Sequence, residues 1–201
     1  EQEAFDRLLT IMKELREKCP WDRKQTMESL RNLTIEEAHE LAESIIHKNM
    51  PEIKKELGDL LLHIVFYATI AREQNEFDIT GVIHSLCDKL VERHPHVFGN
   101  LSVADHNEVE KNWEEIKLKE GYKSILSGVP SSLPALIKSI RIQQKARGVG
   151  FDWDHKEQIW DKVREELGEL QQEVDQNQKE AIESEFGDLL FSIINAARLY
   201  D

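Results

Sequence analysis

Glycine and proline are scarce in these 201 residues, nine and five of them, and cysteine occurs twice. So few turn formers exclude an architecture of many short strands and favour long helices. Cys19 and Cys87 lie far apart, outside any metal-type spacing, so neither a disulfide framework nor a zinc cluster is expected. Free thiols fit a reducing cytoplasm. Positive charge is also short: 26 Lys and Arg stand against 39 Asp and Glu, for a net charge of −13. That excludes a nucleic-acid polymer as the main partner, because its phosphates are gripped by clustered Lys and Arg. A phosphorylated small molecule stays open, since bound cations invert the local sign. The longest apolar run, Leu60 to Ala71, contains His63 and is too short to cross a bilayer. There is no GxxxxGK[ST] phosphate loop. The N-terminal EQEAFDRLLTIMKELREK is an acidic amphipathic helix rather than a signal peptide. A cytoplasmic protein is expected. It lacks an initiator Met and stops in mid-pattern at Asp201, so it is read as a C-terminally truncated chain.

What is present is helical periodicity. With 40% hydrophobic residues the chain can build a core. The spacing predicts helices near 3–18, 26–48, 51–74, 79–93, 105–120, 133–147, 155–176 and 179–200. Thr34-x-x-Glu37 is a capping-box pattern that predicts a break and restart inside the second of these. Asn49-Met50-Pro51 closes one helix and opens the next, with Pro in a first turn where its missing N–H costs little. An internal repeat organises the chain. EEAHEL at 36–41 recurs as EELGEL at 165–170, and ELGDLL at 56–61 as EFGDLL at 185–190, both offset by 129 residues. PWDRKQT from Pro20 is echoed by DWDHKEQ from Asp152. The fold class predicted is all-α, two tandem helical-bundle domains each built on an antiparallel hairpin. The first domain is placed at 1–120 and the second at 135–201, joined by the Gly/Ser/Pro-rich linker 121–134.

The repeated residues are acids. Residues three or four apart share a helix face, so Glu37 and Glu40 pair, Glu36 and Glu40 pair, and Glu56 and Asp59 pair. Folded at 49–51, the hairpin brings both sets to comparable heights, roughly 12 and 8 Å from the turn. A Glu-rich face is ordinarily a solvated stripe, and the Glu36–Glu40 segment alone does not decide. The Glu56 segment says more. Leu57, Leu60, Leu61, Leu62, Ile64, Val65, Phe66 and Ala68 cover nearly every direction of its helix, which is therefore expected to be buried. Carboxylates there are costly unless paired or coordinated. Lys54 and Lys55 are the rival partners. Yet the matching stretch of the second copy, Ala181 to Ser184, holds no base, while the acids remain. A metal accounts for both copies. Oxygen-only ligands suit a hard cation such as Mg²⁺. A di-iron bundle would use Glu-x-x-His, as in Glu36-x-x-His39, with His63 one turn beyond Asp59. But His39 and His63 become Gly168 and Ser192 in the second copy, and only the carboxylates repeat.

The EExxE and ExxD pair on a helical hairpin resembles the all-α nucleoside triphosphate pyrophosphohydrolases. CPWDRKQT at 19–26, RHPHVFG at 93–99, NWEEIK at 112–117 and SLPALIKSIRIQQKARGVGFDW at 132–153 resemble the MazG family in particular. The resemblance implies cleavage of nucleoside triphosphates to monophosphate and pyrophosphate with Mg²⁺ (Mn²⁺ as substitute), a homodimer, and house-cleaning or regulation of nucleotide pools. It implies metal ligands Glu37, Glu40, Glu56 and Asp59 in the first half and Glu166, Glu169, Glu185 and Asp188 in the second. Glu36 and Glu165 become candidates for orienting or deprotonating water. Lys162 and Arg164 precede the second set of acids where the first has Leu33 and Ile35, which makes the second half the favoured catalytic one. Its Lys162 reads equally as an i,i+4 pair with Glu166. Further substrate-binding candidates are Lys89 and Arg93, in CDKLVERHPHVF, and Trp153 and Trp21, which stack on a base or pack the helix entries. His94 and His96, around Pro95 in an extended turn, read as structural, and Trp113 as interface or core. Two alternatives stand: a catalytically weak nucleotide- and metal-binding regulatory module, and a structural helical dimer with charged faces. Base and sugar preference are not legible.

Overall fold

The computed structural model describes residues 1–103, 105, 108–109, 112–113, 116 and 124–200. Among the described residues every regular element is helical. The chain divides into two compact units, Glu1–Glu92 and Arg93–Asp201.

In the first unit α1 (Gln2–Lys18) leads through a 3₁₀ turn at Asp22–Lys24 to α2 (Met27–Ile46), α3 (Met50–Glu73) and α4 (Ile79–Arg93). The α2 start is a reciprocal cap. The Ser29 N–H donates to Thr26 Oγ1 at 3.2 Å, and the Thr26 N–H donates to Ser29 Oγ at 2.9 Å. The expected restart at Thr34 does not occur, because α2 runs through it. Thr34 is half-buried instead, donating to the Leu30 carbonyl at 3.0 Å. With its one proton so used, it accepts from His63 Nδ1 and Tyr67 Oη, each at 2.7 Å. Asn49 caps α3 by accepting from the Glu52 N–H, with Pro51 in the first turn. Two elements that contact along their length across so short a connection form the expected hairpin.

The α1 helix packs on α3. Met12, Leu30, Val65, Phe66 and Ile70 are the core, flanked by Leu8, Leu9, Leu33 and Leu62. The Arg16 guanidinium closes the far end, donating to Glu73 and to the Asp22 and Gln25 carbonyls. The α3 helix is not buried all round, contrary to its apolar composition. Leu57, Leu61 and Ile64 are 53, 39 and 48% exposed, because the core lies against only one of its faces.

In the second unit come α5 (Pro95–Phe98), a 3₁₀ turn at Ile125–Gly128, α6 (Ala135–Arg147), α7 (Ile159–Gln176) and α8 (Lys179–Tyr200). The extended turn expected around Pro95 is a helical turn, with Pro in its first position. The His94 ring lies 5.1 Å from that of Trp113. The helix expected over 105–120 falls largely outside the described residues. A 3₁₀ turn at Lys156–Gln158 precedes α7, so the helix expected from 155 opens at Ile159. Asn177, with φ +56°, takes the left-handed conformation that ends α7 and turns the chain into α8. The α6 helix packs on α8, where the buried Gln143 Nε2 donates to the Phe191 carbonyl at 2.9 Å. Arg198 on α8 pairs with Asp152 at 2.6 Å and donates to Asn195 Oδ1. Both hairpins leave matching strips uncovered: Phe186, Leu190 and Ile193 are exposed at the positions of Leu57, Leu61 and Ile64. Cys19 is half-buried, Cys87 exposed, and both are free. Among the described residues no helix is long and apolar enough to cross a membrane.

Candidate active site

The helical register places the acids as their spacing dictates. One carboxylate oxygen each from Glu37, Glu56 and Asp59 lie within 4.8 Å of one another, and so do those of Glu166, Glu185 and Asp188. In each triplet one acid comes from the first helix of the hairpin and two from the second. Glu40 and Glu169 are exposed and outside the triplets. Their charge still reaches them. Burial pushes the Glu37 carboxyl above its usual range, and Asp59, Glu40 and Glu56 add to the effect. Glu185 is raised by desolvation and then by Glu169, Asp188 and Glu166. Glu36 and Glu165 sit exposed on the same first helices.

These residues fit a hard cation. Glu56 is 2% exposed, and Lys55 Nζ donates to its Oε1 at 2.9 Å. Its Oε2 is buried with no hydrogen-bond partner. Leaving such an oxygen dry and unmatched costs free energy that coordination recovers. The proposed lysine pairing is thus realised on one oxygen only. In the second hairpin no described side chain hydrogen-bonds or ion-pairs with Glu185 or Asp188. Oxygen donors alone suit hard rather than soft ions. His63, bound to Thr34 and lowered by burial against the opposing Asp59 charge, is not in the triplet.

Beside the second triplet opens a cavity of about 490 Å³. Lys162, Glu166 and Asp188 line one part; Ile142, Ala146, Phe191 and Trp153 line another. Lys162 Nζ lies 2.8 Å from Glu166 and 3.1 Å from Glu165. Arg164 points elsewhere, 72% exposed and paired with Asp161 at 2.6 Å. Trp21 is exposed at the surface of the first unit. Lys89 is exposed on α4 and Arg93 half-buried at its end. Asp152, Gln143, Asn195 and Arg198 also line the cavity, and sequence reasoning missed all four. The only signal was Asp152 beside Trp153 in a stretch already singled out; Gln143 faces the cavity only because α6 packs on α8.

A family model described as the MazG nucleotide pyrophosphohydrolase domain matches residues 25–98 and 155–201. The chain is 47% identical over 199 residues to the nucleoside triphosphate pyrophosphohydrolase/pyrophosphatase MazG of Thermotoga maritima, covering 96% of this chain and 75% of that protein. It is 42% identical over 203 residues to the nucleoside triphosphate pyrophosphohydrolase of Escherichia coli, covering 96% and 77%. A crystal structure of a MazG-related protein from Thermotoga maritima superposes with a TM-score of 0.50 at 29% identity, covering 56% of this chain and 98% of that one.

Proposed function

The chain belongs to the MazG nucleotide pyrophosphohydrolase family, and we propose that it hydrolyses nucleoside triphosphates to monophosphate and pyrophosphate with Mg²⁺, the second hairpin carrying the working site. The observation that carries this reading is the open cavity beside Glu166 and Asp188, with Lys162 on its wall. Glu166, Glu169, Glu185 and Asp188 hold the ion, for which Mn²⁺ substitutes. When bound, it supplies charge neutralisation along the phosphates and a more acidic water. Lys162 grips the phosphates as a mobile point charge. Glu165, exposed one position before Glu166, orients the attacking water or takes its proton. The apolar wall of Ile142, Ala146 and Phe191 excludes bulk water and, with Trp153, takes the base.

In the first half Glu37, Glu40, Glu56 and Asp59 hold an ion, with Glu36 beside them. Residues 1–120 and 135–201 are read as two MazG-type domains joined by 121–134. A homodimer is supported by the uncovered strips on α3 and α8, which are apolar at matching positions. House-cleaning or regulation of nucleotide pools in the cytoplasm completes the reading.

The test is pyrophosphate release from a panel of nucleoside triphosphates, with and without Mg²⁺. Expected is Mg²⁺-dependent release that Glu185→Gln lowers by on the order of 10²–10³, the scale of one lost preorganised charge contact. Glu56→Gln is expected to lower it far less. No release at enzyme concentrations near those of substrate would leave a metal- and nucleotide-binding module as the better account.

A further inference from the structure

The second carboxylate cluster carries a lysine ammonium against one of its members. Lys162 Nζ contacts Glu166 Oε1 at 2.8 Å and Glu165 Oε1 at 3.1 Å. The Glu166 side chain is 9% exposed and that of Lys162 36%. The ammonium therefore lies on the buried carboxylate of the triplet and at the cavity wall together. Glu185 and Asp188, across the hairpin on α8, have no such neutralising contact. One lysine charge covers the α7 side of the cluster only.

A divalent ion bound by Glu166, Glu185 and Asp188 competes with that ammonium for the same carboxylate, and two cations a few ångströms apart repel. The lysine stem is flexible, and the cavity it lines gives it somewhere to go. We propose that Lys162 is a resident counter-cation of the cluster, which a divalent ion must displace and which then closes on the triphosphate, so that metal and substrate bind cooperatively. This rests on the reading of the second hairpin as a metal-dependent triphosphate site and adds the order of contacts within it. Metal alone must break the Lys162–Glu166 pair without return. A triphosphate alone must also draw Lys162 away, leaving Glu166 buried and unpaired. Bound together they share that one cost, which is positive coupling between the two ligands. The first hairpin places its lysine differently: Leu33 stands at the position of Lys162, and Glu56 on the second helix is met by its sequence neighbour Lys55, whose side chain is 60% exposed.

The experiment uses the full chain carrying Glu56→Gln, so that the first cluster does not contribute. Mn²⁺ alone is titrated by electron paramagnetic resonance, then an α,β-methylene nucleoside triphosphate is titrated with and without Mn²⁺. Removing the competing half-exposed Lys162 ammonium by Lys162→Gln is expected to tighten Mn²⁺ alone by about threefold. The same change is expected to weaken the triphosphate analogue by about tenfold in the presence of Mn²⁺, through loss of a charge-assisted contact. The factor by which each ligand strengthens the other should shrink, and Lys162→Arg should restore part of it. Circular dichroism checks that each variant is folded. Equal or weaker Mn²⁺ binding by Lys162→Gln, or an unchanged coupling factor, overturns the proposal while leaving the metal site standing. Undiminished Mn²⁺ binding after adding Glu185→Gln overturns the metal site itself, and the proposal with it.

Discussion

The two hairpins hold the same three carboxylates and differ in what stands beside them. In the first, Leu33, Leu62 and Phe66 pack into the core with Met12, Leu30 and Val65. In the second, the same positions are Lys162, Phe191 and Asn195, and they line a cavity of about 490 Å³. His63, tied to Thr34, is replaced by Ser192, which lines that cavity too. Thr69, whose hydroxyl stays on the Val65 carbonyl of its own helix, is replaced by Arg198, which reaches Asp152. One framework is thus filled by apolar packing in the first hairpin and leaves a cavity in the second. The acids tolerate either neighbourhood because their own register comes from the helices that carry them.

The sharpest way to break this comparison is to empty the first hairpin. Phe66 is 3% exposed at the centre of its core, so Phe66→Ala should cost about 3–5 kcal/mol of stability. Denaturant unfolding measures it, and a cost below about 1 kcal/mol would mean that the first unit is not held together by this packing.

The converse is to fill the second. Asn195→Phe places there the residue that occupies the first core. It should raise KM for triphosphates by about tenfold, on the order of 1–3 kcal/mol of lost pocket contact, with a smaller change in kcat. Unaltered KM would show that substrate does not enter this part of the cavity.

The smallest effect is in pH. Glu37 and Glu185 are raised by burial and by neighbouring carboxylates, so the metal-free fold holds protons that the unfolded chain, titrating near about 4.3, has released. Their contribution is full below the unfolded value and lost as pH rises through the raised folded values. The opposite sign holds elsewhere. Arg16 lowers Glu73 by hydrogen bonding, and at Asp152 the Arg198 and Trp153 hydrogen bonds outweigh desolvation. Those contributions are present above the unfolded carboxylate values and lost as pH falls through the lowered ones. Melting in EDTA should therefore pass through a maximum on the acid side of neutrality. Mg²⁺ should lift the neutral limb, where the clusters are ionised. Parallel curves with and without Mg²⁺ would remove the electrostatic argument for an ion.

Much of the site was legible because it is local. Glu56 and Asp59 share a face at any helical register, and the exact offset of the repeat carried the same statement to Glu185 and Asp188. The turn of the first hairpin was legible too, in Asn49 and Pro51. The misreadings were tertiary. Thr34 looked like a cap because Glu37 follows at the right spacing, yet Thr26 holds that role and Thr34 serves His63 and Tyr67 from inside α2. The apolar residues of α3 promised burial on all sides, while Leu57, Leu61 and Ile64 remain exposed. Arg164 stood as close to the acids in sequence as Lys162, but a two-residue step on a helix turns a side chain away, and it pairs with Asp161.

By itself, then, the sequence determined helices, their pairing into repeated hairpins, and two sets of converging carboxylates, because periodicity and turn chemistry act within a few residues. Only the tertiary structure decided that the second set borders an open cavity. That depends on what α1 brings against α3 and α6 against α8, through side chains such as Met12 and Gln143 that lie tens of residues from the helices they pack against. Packing against a distant helix has no local spacing rule, so whether a gap is filled or left open is written in no single stretch of the chain.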